Sequence, residues 1–345
     1  MEKIGKYIGY RTLKTAFGAA LAILISQRLG LSYAVNAGII VILSVQNTRK
    51  KSRDLAVMRL GSTVLALAIG ALVFTLVGFN AIAFGIYLLL FIPIAVRLKF
   101  HDGIVPCSVL VTHLLAVQSV SWFWLGNEMM QMVIGAGIGF LVNLHMPSLE
   151  NQLDEDMVEI ERLMSRILIS LSHSLRNRQQ DQEEEELYRS LEAKLREGYD
   201  RALRQAGNNL IREVLYHVKY MELRNIQLEI LTYMRRYSKR IYQSTEETAM
   251  VAALTELVAE QFHDMVTSEP VLRKFREYKE ACQIMDLPKS REEFESSASL
   301  YEYIHDLEHF LEVKKTFVEH LAQAERERFQ QGLRDSENEE VVEKE

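Results

Sequence analysis

The chain has 345 residues, 48% of them hydrophobic, two cysteines and a formal net charge of −6. It is long enough for about two domains and too poor in cysteine for a disulfide framework or a zinc-binding spacing. The averages conceal a division: residues 1–147 hold twelve Lys or Arg against four acids (Glu2, Asp54, Asp102 and Glu128), a balance of +8, and the remainder carries −14.

An apolar basic half joined to a polar acidic one fits either a nucleic-acid contact or a membrane boundary, and hydropathy separates the two. Six apolar segments follow one another at 12–27, 33–45, 55–77, 81–96, 104–120 and 129–146. A hydrocarbon core of ~30 Å asks for about 20 helical residues, which the third and sixth approach most nearly. The second is short and reads as a half-length or broken helix sheltered by its neighbours. No A-x-A-like cleavage site follows the first, so it is expected to stay attached.

The loops give an independent test. With the amino terminus inside, that side holds Lys3, Lys6, Arg11, Lys14, Arg49, Lys50, Lys51, Arg53, Arg59, Arg97 and Lys99, and the opposite side holds Arg28 alone. Lys and Arg accumulate in this way on a cytoplasmic face. Six crossings with both termini cytoplasmic are therefore expected, and Trp122 and Trp124 suit an aromatic belt in the last outer loop. The basic run Arg49 to Arg53 is accounted for by this bias, and no nucleic-acid partner is expected.

After Pro147 the character changes. Ser148 can cap a helix bearing Met157, Ile160, Leu163, Met164, Ile167, Leu168 and Leu171 at three-and-four spacing. The acidic run at 179–186 reads as a loop or a solvated helix start. Further helices are expected over 187–205, 208–243, 246–266, 269–286 and 291–329. Ser244-x-x-Glu247 and Ser290-x-x-Glu293 read as capping boxes, and Pro270 lies in a first turn. Residues 330–345 are too polar and acidic to bury surface and read as a disordered tail. The expected fold class is all-α: a six-helix transmembrane bundle at 1–147, then a cytosolic helical domain at 148–329.

Two motifs invite enzymatic readings. His305-Asp306-Leu307-Glu308-His309 spells H-x-x-E-H, but an apolar face at Leu300, Tyr303, Ile304, Leu307, Leu311 and Val318 leaves these histidines toward the polar side of their helix. Gly135, Gly137 and Gly139 sit inside an apolar segment without a preceding strand. With Gly18, Ala22, Gly61 and Gly70 they read as small-residue helix faces, not a dinucleotide fingerprint. No catalytic set, metal or cofactor is expected.

Polar residues inside apolar segments are costly and tend to face a bundle interior or an aqueous path. His113 lies mid-segment with Ser108, Thr112 and Gln118 nearby, and Asn36, Asn143 and His145 are the other intramembrane candidates. A histidine there suits proton relay or neutralisation of an anion, or an interhelical polar contact. His101 and Asp102 read as a solvated pair.

The stretch SVQNTRKKSRDLAVMRLGSTVLALAIGALV at 44–73 sets a basic run and Arg-Leu-Gly-Ser-Thr at the opening of a glycine-bearing apolar segment. With the order of segments along the whole chain, it resembles the bacterial aromatic acid exporter family, a branch of the fusaric-acid-resistance-like membrane proteins. The resemblance implies efflux of small, largely aromatic organic anions across the plasma membrane, driven by an ion gradient. It makes Arg59 the best-supported single residue and carries over no substrate residue; in the resulting reading Arg59 attracts the carboxylate, and the intramembrane polar residues Ser108, Thr112, His113, Gln118 and Asn36 are the path candidates. The expected partners are the bilayer, the organic anion and further copies of the chain. The competing expectation is a membrane-anchored helical interaction or sensor protein without transport, motivated by the size of residues 148–345.

Overall fold

Apolar runs broken by Gly, Asn and Pro fold here as a succession of helices. The computed structural model describes residues 10–177, 183–208, 215–241, 245–261, 269–284 and 288–321, and these form helices without strands. The first half holds α1 (Tyr10–Arg28), α2 (Val35–Ser44), α3 (Arg49–Val77), α4 (Ala81–Arg97), α5 (Ile104–Val117) and α6 (Trp122–Leu144), with a 3-10 turn at His101–Gly103. The second holds α7 (Glu150–Asn177), α8 (Glu184–Asn208), α9 (Tyr216–Ser238), α10 (Glu246–Glu260), α11 (Glu269–Ile284) and α12 (Arg291–His320). The chain divides into two units, the first built mainly from Met1–Pro147 and the second mainly from the residues that follow.

Two boundaries in the first unit differ from those read from hydropathy, for the same reason. The Thr48 side chain accepts a bond from the Lys51 amide and starts α3 at Arg49, so the basic run forms the first turns of a helix. Likewise α6 begins at Trp122, so Trp124, Asn127 and Glu128 are helical. Polar or aromatic residues extend each helix beyond its apolar run, and a hydropathy window assigns them to loops.

Within this unit α6 packs on α1, α2 and α3, and α3 packs on α4 and α5. The approach of α2 to α6 is set by glycine. A Cβ on Gly135 would stand 2.6 Å from Ile40 Cβ, and one on Gly139 would stand 2.5 Å from Ser44 Cβ. Gly137 faces open space and takes no part in this contact, contrary to its expected place on a packing face.

The polarity of the unit is inverted relative to a water-soluble bundle. Leu76, Ile82 and Leu89 are about three-quarters exposed, at 75%, 74% and 74%, while Ser26, Ser44, Ser62, Thr63, Glu128, Gln131 and Asn143 are buried. By length and composition, α3 at 29 residues and α6 at 23 qualify as membrane spans; α2, α4 and 101–117 are apolar but shorter. At ~1.5 Å per residue, α2 covers only about 15 Å.

The second unit has the ordinary polarity. The expected stripe of α7 is buried from Met157 to Leu171, α10 and α9 pack on it, and α12 packs on α9. Arg224 is wholly buried, paired with Glu161 and donating to Gln227 Oε1 at 2.7 Å, while Gln227 Nε2 donates to the Phe310 carbonyl at 3.0 Å. This chain of bonds ties α7, α9 and α12 together.

The box at Ser290 and Glu293 forms, with reciprocal bonds of 3.1 and 3.3 Å. The other cap differs: Thr245 and Thr248 make the reciprocal pair that starts α10, and Ser244 lies outside the described residues. The expected helix at 208–243 is described from Tyr216 to Ser238, and the tail at 330–345 lies outside the described residues.

Candidate functional site

Gly30, at φ 69°, ends α1 in the left-handed conformation that glycine adopts without strain, and the chain turns back toward α2. Tyr33 follows at φ 60°, uncommon for a residue with a Cβ. This turn lays the Ser32 backbone against α6. Ser32 N–H donates to Asn127 Oδ1 at 2.9 Å, and the Ser32 carbonyl accepts from Asn127 Nδ2 at 3.2 Å and from Gln131 Nε2.

Asn127 Nδ2 also donates to Glu128 Oε1 at 2.9 Å, and the other carboxylate oxygen lies 2.8 Å from His113 Nδ1. On the far side of the ring, Asn36 Nδ2 lies 3.0 Å from His113 Nε2. An amide NH2 only donates, so Nε2 accepts; the ring proton then sits on Nδ1 and is donated to Glu128. Tyr33 stacks on the imidazole with centroids 4.4 Å apart, and Trp124 is tilted against Tyr33 at 6.4 Å. Glu128 and Gln131 are wholly buried, and Gln131 Oε1 has no hydrogen-bond partner among the described residues. The result is one connected polar chain where α1, α2, α5 and α6 meet.

A second polar cluster lies at the opposite end of the same helices. Arg59 donates through Nη1 to Ser44 Oγ at 2.6 Å and to the Ile40 carbonyl at 3.4 Å, and through Nη2 to the Leu43 carbonyl at 3.0 Å. These atoms form the C-terminus of α2, whose last carbonyls lack intrahelical partners and carry partial negative charge. Lys14 Nζ donates to Asn143 Oδ1 at 2.6 Å, Asn143 Nδ2 to the Thr48 carbonyl at 3.3 Å, and Arg11 to the Val45 carbonyl at 3.2 Å. The cations thus meet carbonyls around the α2–α3 turn.

Of the residues proposed from the sequence, the structure brings Asn36 and His113 into contact. Arg59 lies at the other end, 4% exposed. Ser108 Oγ is buried beside the Tyr87 hydroxyl, and Thr112 Oγ1 bonds back to the Val109 carbonyl at 2.6 Å. Gln118 is the exposed left-handed residue ending α5, at φ 51°. Asn143 is buried on Lys14, while His145, His101 and Asp102 are exposed. On α12, the apolar positions from Leu300 to Leu311 are buried, and His305 and His309 are exposed. Among the described residues no cluster of His, Cys, Asp and Glu is arranged to hold a metal.

Ser32, Tyr33, Asn127, Glu128 and Gln131 were not singled out by sequence reasoning. The available signal was Glu128 itself, an acid beside the apolar run MMQMVIGAGIGFLV with Gln131 one helical turn on.

Comparison with known proteins gives a consistent set of likenesses. The family model described as "Aromatic acid exporter family member 1" matches residues 6–146. The one described as "Putative aromatic acid exporter C-terminal domain" matches residues 150–315. "Uncharacterized protein YqjA" of Bacillus subtilis (strain 168) is 34% identical over 310 residues, covering 90% of this chain and 96% of that protein. A solved structure described as "Crystal structure of putative membrane protein from Clostridium difficile 630" is 16% identical with a TM-score of 0.42, over 47% of this chain and 96% of that one.

Proposed function

We infer how this chain works from one premise: it belongs to the aromatic acid exporter family. The reading is an integral transporter of the bacterial plasma membrane that exports aromatic carboxylates or related small organic anions. In it, α1 to α6 form a multi-pass membrane bundle, α7 to α12 form a cytosolic domain, and both termini are cytoplasmic. Further copies of the chain complete the assembly, since six helices alone enclose little space.

One observation carries the reading: a unit whose outside is apolar buries a connected polar chain centred on the Glu128 carboxylate. Buried charge in such a setting is expensive and tends to be kept for an ion or substrate path. A membrane-anchored sensor leaves this chain of bonds without a use.

The two polar clusters have different roles in this reading. The end with Arg11, Lys14, Arg49 and Arg59 faces the cytoplasm by the positive-inside bias and draws organic anions toward the bundle. Arg59 acts through α2: its guanidinium holds the C-terminus of that short helix, making it a positioning residue. Because α2 covers about half of a ~30 Å core, one of its ends lies within the membrane. The positive N-terminal end of α2, with Asn36 and His113 beside it, is where a carboxylate is best received. The rings of Tyr33 and Trp124 offer the adjoining surface for an aromatic group.

The test is retention of labelled benzoate by cells that lack or overproduce the chain. Overproduction is expected to lower the cellular benzoate level, and His113→Ala to abolish that effect. Equal retention in all strains contradicts the reading.

A further inference from the structure

We propose that Glu128 and His113 form a single proton-binding site whose occupancy is linked to that of the exported carboxylate. The inference rests on the transport reading above and adds to it a proton whose binding is linked to that of the carboxylate, and the group that binds it.

The geometry is that of a shared proton. The Glu128 carboxylate is wholly buried, and among the described residues its hydrogen-bond partners are the imidazole at 2.8 Å and the neutral Asn127 amide at 2.9 Å. Among the described residues no Lys or Arg bonds this carboxylate, so a further proton on the dyad is the charge that would compensate it. The other titratable group facing the ring is Tyr33, stacked on it. The helices packed on α5 bring their own groups in elsewhere. Arg59 of α3 meets α5 at Cys107, its carbonyl 4.0 Å from the Cys107 sulfur, and Tyr87 of α4 lies by Gly70 beside Val111.

Two protonation states follow. With one proton, on Nδ1, the dyad carries −1 and repels an incoming carboxylate. Uptake of a second proton, onto Nε2 or the carboxylate, forms one N–H or O–H bond and brings the dyad to zero charge. The structure holds an acceptor for either outcome. For a proton on Nε2 that acceptor is the Asn36 amide, which presents Oδ1 when turned about its last torsion; for the carboxylate the candidate is Gln131 Oε1, three residues along α6, which is buried without a donor among the described residues. In the neutral state the repulsion is gone and the carboxylate binds. By linkage, anion binding then draws a proton onto the dyad.

The experiment is calorimetric titration of benzoate into the full-length protein in lipid nanodiscs, in two buffers of different ionisation enthalpy. From about pH 6 to about pH 8 benzoate is anionic, so a proton taken up on binding is bound by the protein. The wild-type protein is expected to take up close to one proton per benzoate bound, with affinity falling up to ~10-fold per pH unit as pH rises. Glu128→Gln is expected to bind benzoate without proton uptake and with no pH dependence.

Benzoate binding without proton uptake, binding that requires sodium in its place, or uptake that persists in Glu128→Gln overturns the proposal. The wild-type measurement decides even if the variant fails to fold. Absence of benzoate binding by the wild-type protein overturns the transport reading and this linkage together. Infrared difference spectra on acidification then show separately whether Glu128 takes up a proton, by a carboxylic carbonyl band that Glu128→Gln removes.

Discussion

Arg59 shows how a residue singled out for chemistry can be committed to structure. Its guanidinium meets Ser44 Oγ and the carbonyls of Ile40 and Leu43, the end of a helix only ten residues long. Removing it takes a donor from the buried Ser44 Oγ and from the Leu43 carbonyl, and an unsatisfied buried group costs about 1–3 kcal/mol. Arg59→Gln is therefore expected to lower the thermal unfolding temperature of the detergent-solubilised protein while leaving benzoate affinity in the folded fraction within about twofold. Unchanged stability with affinity lost would make Arg59 a direct anion ligand.

Asp306 allows a second test, outside the membrane unit. Burial, with Glu302 nearby, raises its carboxyl above the usual range, against the lowering influence of His305, His309 and Arg236. A raised carboxyl favours its neutral form on folding, so its contribution to stability is present at acid pH and is lost as pH rises through the folded value. Asp306→Asn is thus expected to raise the unfolding temperature at neutral pH and to make no difference near pH 3 (about one unit below the ordinary carboxylate).

The legibility of the site also divides at this level. His113 and Asn36 stand out in the sequence because they interrupt apolar runs. Glu128 does not, because the apolar run begins at Met129 and hydropathy assigns the acid before it to a loop. The contribution of the Ser32 carbonyl comes from the backbone, which carries no sequence signal.

Helices were legible where periodicity or hydropathy was strong. The stripe of α7 and the cap at Ser290 are as the spacing indicates. The starts of α3 and α6 were not, since both begin in polar or aromatic residues that a hydropathy window assigns to loops. The fit of α2 against α6 depends on which glycines face a neighbour, a matter of helix phase that a count of glycines does not supply.

Phase gives a sharp comparison between neighbouring positions. A side chain at Gly139 meets Ser44, whereas one at Gly137 meets open space. Overpacking of this kind costs about 1–3 kcal/mol. Gly139→Leu is expected to destabilise the protein and, by displacing the end of α2 that Arg59 holds, to weaken transport. Gly137→Leu is expected to do neither. Equal effects in thermal unfolding would place the α2–α6 contact elsewhere.

For the whole molecule, the contrast between the two units decides the reading. The same chain places polar groups inside and apolar groups outside before Pro147, and reverses that order afterwards. Hydropathy and the eleven-to-one charge bias already indicate the first arrangement, but not that one of its two interior polar clusters is a chain centred on a buried carboxylate. That chain is the observation on which the proposed transport reading rests.

Proteoliposomes containing the purified full-length chain, loaded with labelled carboxylates, measure this. Benzoate is expected to leave them faster than from protein-free liposomes and much faster than an aliphatic acid such as acetate, with the Glu128→Ala, His113→Ala double variant reduced to the protein-free rate. Benzoate efflux equal to that of protein-free liposomes would contradict transport, and full efflux in the double variant would contradict the path.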